Sequence, residues 1–132
     1  MSHQCQLKQC GDKKYYCQVE LALLIIGGKW KPLVLWFLGS DGVLRFSELK
    51  RAIPNITQKM LTQQLRELEK DDLIHREVYA QVPPKVEYSL TKVGESVMPL
   101  LMKLNDWGIW YEQIAAVKKK NRKHSLNQLI LE

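Results

Sequence analysis

The chain has 132 residues and is 45% hydrophobic, which suits one globular domain with a core and excludes a disordered chain. Its densest apolar run, Val19 to Ile26, is too short to cross a bilayer. The formal net charge is +6, but Lys118, Lys119, Lys120, Arg122 and Lys123, opposed only by Glu132, supply +4 of it and leave +2 for the rest, so basicity alone does not assign a nucleic-acid partner.

The N-terminal stretch MSHQCQLKQCGDKK lacks the apolar segment of a secretory leader, so a cytoplasmic location with reduced thiols is expected. Residues 1–16 read as a polar, mobile arm. A first helix follows from Cys17 to Ile26, apolar nearly all round and therefore expected to be buried, with Gly27-Gly28 closing it. Pro32 suits the first turn of a second helix, Lys31 to Gly39, and Asp41-Gly42 is a turn. Val43 to Arg45 allows only a short strand. A third helix, Phe46 to Ala52, turns Phe46, Leu49 and Ile53 inward.

Pro54-Asn55 breaks the chain before a fourth helix that ends near Lys70. Thr57 is its expected N-cap, with Ile56 and Leu61 placed as a hydrophobic staple. Asp71-Asp72 stops it. Two strands, Leu73 to Tyr79 and Lys85 to Leu90, flank the stiff loop Ala80-Gln81-Val82-Pro83-Pro84. The last helix is expected from Thr91 to about Lys118, kinked or divided at Pro99. Its apolar positions, including Val93, Val97, Met98, Leu101, Leu104, Trp107, Trp110, Tyr111 and Ile114, cover more than one face, which implies a partner chain.

Two helices joined by a short turn and followed by a hairpin give the element order of a winged helix. The expected class is mainly α with a small β-hairpin. In such a fold the second helix enters the major groove by its N-terminal end. Here Gln58, Lys59, Thr62, Gln63 and Arg66 gather on one side of the fourth helix, away from Leu61, Leu65 and Leu68. Glutamine amides match adenine, lysine and arginine match guanine or phosphate, and threonine meets a base edge or the thymine methyl. A solvated surface helix would accommodate the same residues; the hairpin that follows favours the DNA reading. Arg76 and Lys85 flank its loop as candidate wing cations, Lys85 the stronger of the two.

The segments GGKWKPLVLWFL, LRFSELKRAIPNITQKMLTQQLRELEKDDLIHREVY and VPPKVEYSLTKVGES closely resemble the HxlR-type family of bacterial transcription regulators, itself similar to the MarR-like winged-helix group. The resemblance runs from Cys17 to Tyr111. It implies a homodimer formed largely by the terminal helices, with Val97, Leu101, Leu104, Trp107, Trp110 and Tyr111 as candidate interface residues. It also implies a recognition helix over Thr57 to Lys70, a wing around Gln81 to Lys85, and a pseudo-palindromic operator on double-stranded DNA. The implied organisation is an arm over 1–16, a DNA-binding and dimerisation domain over 17–117, and a basic tail over 118–132.

Relatives carry a Cys-Pro-Val-Glu pattern before the first helix, and Cys17-Gln18-Val19-Glu20 matches it except for Gln18 in place of proline. Cys17 is thus a candidate sensor of oxidants or electrophiles, because a helix N-terminus favours thiolate. The competing reading is a small hydrophobe at the core edge. Cys5 and Cys10 are candidate pairing partners. The set His3, Cys5, Cys10 and Cys17 does not follow a standard zinc spacing, and no metal or cofactor is expected. No histidine stands with a carboxylate or nucleophile in a catalytic spacing, and GGKWK lacks the pattern of a phosphate-binding loop, so an enzyme is not expected. Alternatives are a regulator answering a small aromatic ligand, with Trp30, Trp36, Trp107 and Trp110 as candidate lining, and a winged-helix protein-interaction module.

Overall fold

The computed structural model describes residues 6–131. It comprises two compact units, the first ending at Met98 and the second beginning at Pro99.

The first unit opens with an element that the sequence reading did not foresee. Within the expected arm, β1 (Lys8–Cys10) and β2 (Lys13–Tyr15) form an antiparallel hairpin with Cys10 opposite Lys13. Gly11, at φ +60°, supplies the left-handed turn residue. A hairpin this small is marginal alone. Ion pairs from Asp12 to Lys70 (2.9 Å) and from Lys13 to Asp71 (3.1 Å) fasten it to the end of the fourth helix. The Lys70 hydrogen bond holds the Asp12 carboxyl below the usual carboxylate range, and the Asp71 hydrogen bond raises Lys13.

Helix α1 (Gln18–Ile26) corrects a second expectation. Only Ile26 is buried, whereas Val19 is 69% and Leu23 62% exposed. The helix is as apolar as expected, but nothing among the described residues covers that face. Helix α2 (Trp30–Asp41) places Val34, Leu35 and Leu38 in the core and runs past the expected end at Gly39 to Gly42, at φ +82°.

Strand β3 (Leu44–Arg45) leads into α3 (Phe46–Ala52), whose start is held by the Arg45 N–H donating to Glu48 Oε1 at 3.0 Å. A turn with Asn55 at φ +68° separates it from α4 (Gln58–Lys70). Thr57 caps α4: its Oγ1 accepts the Met60 N–H at 3.0 Å. Ile56 and Leu61 are both buried, as a staple requires. Leu49, Ile53, Leu61, Leu65 and Leu68 interlock the two helices with α2.

Asp72, at φ +63°, turns the chain out of α4. Strands β4 (Ile74–Tyr79) and β5 (Lys85–Leu90) pair antiparallel, and β3 adds to the other side of β5, giving the order β3-β5-β4. Thr91 then joins three segments. Its hydroxyl donates to the Asp72 carbonyl at 2.6 Å and accepts the Gly94 N–H at 3.0 Å, while its own N–H donates to the Leu73 carbonyl at 3.1 Å. A side chain at Gly94 would collide with the Leu73 carbonyl.

Helix α5 (Lys92–Leu131) is continuous. The expected break at Pro99 does not end it, although the two units divide there, and the expected end near Lys118 is also passed. The segment expected as a tail is thus helical through Leu131.

Leu65→Ala is expected to cost about 2–5 kcal/mol by leaving a cavity under α4. Thr57→Ala should cost about 1 kcal/mol by orphaning the Met60 N–H. Urea unfolding should show both as lower midpoints with an unchanged denaturant slope.

Candidate nucleic-acid interface

Burial of Leu61, Leu65 and Leu68 fixes the rotation of α4. At about 100° per residue, Gln58, Lys59, Thr62, Gln63 and Arg66 then fall within a sector of about 140° on the outward side. Together with Glu67 they line an open hollow of about 650 Å³. Gln58, Lys59, Gln63 and Arg66 are exposed and Thr62 is half-buried. The Thr62 hydroxyl donates to the Gln58 carbonyl at 2.8 Å. Thr57 stands at the same end of the helix, but its oxygen is already engaged as the cap.

The charge on this face is one-sided. Lys59 and Arg66 have no carboxylate partner among the described residues. Glu67, the anion lining that hollow, is bound by Lys31 of α2 at 2.9 Å. That hydrogen bond holds the Glu67 carboxyl below the usual glutamate range. Sequence spacing gave no hint of Lys31, which reaches Glu67 only once α2 packs on α4.

The hairpin separates the two candidate wing cations. Side chains alternate across a strand, so Ile74, Arg76 and Val78 share one face of β4 while Tyr79 lies on the other. Arg76 pairs with Tyr88 and joins Thr62, Leu65, Arg66 and Glu69 around a groove of about 330 Å³. Lys85 pairs with Tyr79 and so lies on the opposite face. There its ammonium bonds Glu87 at 2.8 Å and sits 4.9 Å from the Tyr79 ring centre. Lys85, the stronger candidate by sequence, is thus engaged by Glu87 and Tyr79, whereas Arg76 has no ion-pair partner among the described residues. Arg76 extends the cationic side of α4, and the charge of Lys85 is already matched.

A buried helix-turn-helix, a polar second helix and a three-stranded sheet are the parts of a winged helix. The family profile described as HxlR-like helix-turn-helix matches residues 25–115. The chain belongs to this family. Among the relatives of this HxlR-like chain, an HTH-type transcriptional regulator of Methanothermobacter thermautotrophicus is 60% identical over 101 residues, covering 76% of each chain. The HTH-type regulator YkvN of Bacillus subtilis is 58% identical, covering 76% of this chain and 85% of its own. Among solved structures, the redox regulator HypR in its reduced form is similar with TM-score 0.71 and 50% identity, over 74% of this chain and 96% of that one. Its oxidised form gives 0.66 and 54%, over 70% and 94%.

This HxlR-like chain is thus a helix-turn-helix transcription regulator and not an enzyme. Helices α3 and α4 and the β4–β5 hairpin all lie inside the matched residues, whereas Cys10, Cys17 and the basic segment after Val117 lie outside them.

Of the residues expected at a dimer interface, Leu104, Trp107, Trp110 and Tyr111 are exposed, with Trp107 stacked on Tyr111 at 5.3 Å. Leu101 is only 3% exposed and Val97 is half-buried. Val19, Leu23 and Leu24 of α1 were missed as surface; their apolar pattern was legible but was read as core. Cys17 stands at the N-cap of α1 and is exposed, contrary to the core-edge reading, and Cys10 is exposed on β1. Cys5 and His3 lie outside the described residues. No single helix among the described residues is long and apolar enough to cross a membrane.

Arg76→Ala is expected to weaken duplex binding and to lower the salt slope of binding by about one. Lys85→Ala should have a smaller effect on both, and anisotropy titrations over a salt series distinguish the two. A further expectation concerns acid. Glu67 is depressed below its ordinary 4.5, so the stability from its bond to Lys31 is fully present above that value. It is lost as pH falls through the lower, folded value. Glu67→Gln should flatten that part of the stability–pH curve, read by urea midpoints on either side of the window.

Proposed function

We propose that the chain binds duplex DNA as a homodimer, placing two copies of α4 in successive major grooves of a pseudo-palindromic operator. The observation that carries this reading is the one-sided chemistry of α4: neutral amides flanked by two cations without carboxylate partners. Gln58 and Gln63 suit adenine, and Lys59 and Arg66 suit guanine or phosphate. Arg76 extends the positive side toward the backbone. The two recognition helices would lie about 34 Å apart. Dimerisation is supported by exposed apolar side chains on two helices: Val19, Leu23 and Leu24 on α1, and Leu104, Trp107, Trp110 and Tyr111 on α5. Leaving all of these in water is unfavourable, and a second copy offers the same surface to cover them.

Thiol switching at Cys17 belongs to the same reading. The thiol is exposed at the start of α1, and the similar structures of HypR are described as a redox regulator in two oxidation states. Oxidation there would alter the apolar helix proposed to join the protomers. Cys10 is an exposed candidate partner.

Lys59→Ala is expected to weaken operator binding. If Lys59 meets guanine, the loss should be sequence-selective and about 1–3 kcal/mol; if it meets phosphate, the loss should be uniform and the salt slope shallower. Unchanged binding to every sequence would remove Lys59 from the interface. Genomic DNA selection with reduced and with mildly oxidised protein tests the whole reading. It should enrich one pseudo-palindromic sequence, with binding altered by oxidant in the native chain but not in Cys17→Ser. Equal binding in both states would retain the regulator and discard the switch.

A further inference from the structure

The candidate DNA face carries few free charges. Four cations of the first unit, Lys13, Lys31, Lys70 and Lys85, are each held by a carboxylate, and the unpaired ones are spread over several elements. Lys59, Arg66 and Arg76 supply most of what the recognition helix and its wing offer to phosphate. Duplex affinity depends heavily on neutralised phosphates, and three cations per protomer is a small share.

The second unit concentrates its cations in one stretch. Lys118, Lys119, Lys120, Arg122 and Lys123 lie within six consecutive positions of α5, all exposed. At 1.5 Å per residue they occupy about 9 Å of helix. No acidic residue stands three or four positions from any of them. None has an ion-pair partner among the described residues. Lys118 and Arg122 are four apart, as are Lys119 and Lys123, so like charges face each other on adjacent turns and oppose the helix that holds them. A polyanion laid along the segment would remove that repulsion. Apolar Val117 and Leu126 bracket the basic turn, yet nothing within it offers a base-reading amide other than Asn121. The segment also lies beyond the family match, which ends at residue 115.

We propose that the basic turn of α5, residues 118–123, is a second DNA-binding element that grips duplex phosphates without reading sequence. It adds sequence-independent electrostatic affinity, while α4 supplies selectivity. This inference rests on the duplex-binding reading above. Phosphate of a lipid headgroup is the rival source of negative charge. Duplex is favoured because the same chain carries a helix-turn-helix and no helix long and apolar enough to anchor it in a bilayer among the described residues.

The test keeps the full chain and replaces all five cations by glutamine, which preserves helix propensity. A control exchanges each lysine for arginine and Arg122 for lysine, preserving charge. Anisotropy titrations use the selected operator and a scrambled duplex of equal length between about 50 and 200 mM salt. The glutamine variant should lose affinity by the same factor on both duplexes, with its salt slope shallower by at least about 2 per protomer, at about 0.9 per phosphate released. The charge-preserving control should match the native chain. Circular dichroism on the bound complexes checks that a lost helix is not the cause. Unchanged slope and affinity in the glutamine variant would overturn the inference alone, as would a loss confined to the operator. So would unchanged duplex binding with lost binding to vesicles of phosphatidylglycerol and phosphatidylcholine, which would assign the segment to a lipid surface. A native chain that binds neither duplex would overturn the proposed function and this inference with it.

Discussion

The burial of three leucines on one side of α4 is the constraint from which the candidate interface follows. Leu61, Leu65 and Leu68 recur at helical spacing, and each is nearly or wholly removed from water. Once they are buried in the core beside α2, the roll of the helix is set. Every polar residue between them is then assigned a direction. The glutamines and cations of the outward side owe their positions to apolar neighbours that touch no ligand. Thr57 sets the start of the helix and Asp72 its end, so the axial register is fixed as well as the rotation.

Electrostatics divides the molecule by whether a cation is spent. In the first unit, pairs such as Lys31–Glu67 and Lys13–Asp71 join elements distant in sequence and contribute to packing rather than to recognition. Lys59 and Arg66 on one side of α4, and Arg76 on β4, are among the cations left without an ion-pair partner among the described residues. That selection matters more than the sum of charges. A net charge of +6 would be a poor guide to a DNA partner, because its arrangement is what separates a recognition surface from a solvated one.

Much of this organisation was legible in the amino-acid order, and the exceptions have physical causes. Helix α3 matched its expected bounds, and the Thr57 cap of α4 is a local hydrogen bond, so short-range chemistry was enough to find both. The β4–β5 pairing was readable for the same reason. The N-terminal hairpin was missed although Gly11-Asp12 between short polar runs is a two-residue turn signal. Its strands have no apolar alternation, and what holds them is a pair of ion bridges to the far end of α4. Helix α1 was misjudged in the opposite way, since composition tells how apolar a helix is but not what covers it. The order of preference between Arg76 and Lys85 depended on strand parity and on Glu87, and a count of flanking cations carries neither. Family membership of the helix-turn-helix core was visible in its motifs, whereas the residues of the site remain a reading of their chemistry.

The junction at Thr91 has a mechanical meaning. One hydroxyl is bonded at once to the residue that terminates α4 and to the first turn of α5. The Leu73 carbonyl accepts from Thr91 and leaves no room for a side chain at Gly94. The end of α4 and the beginning of the long helix are therefore riveted together. A twist applied to the first turn of α5 cannot be absorbed locally without breaking hydrogen bonds worth about 0.5–1.5 kcal/mol each. The first turn of α5 and the exit of α4 are thus joined by a short linkage of side-chain and backbone hydrogen bonds.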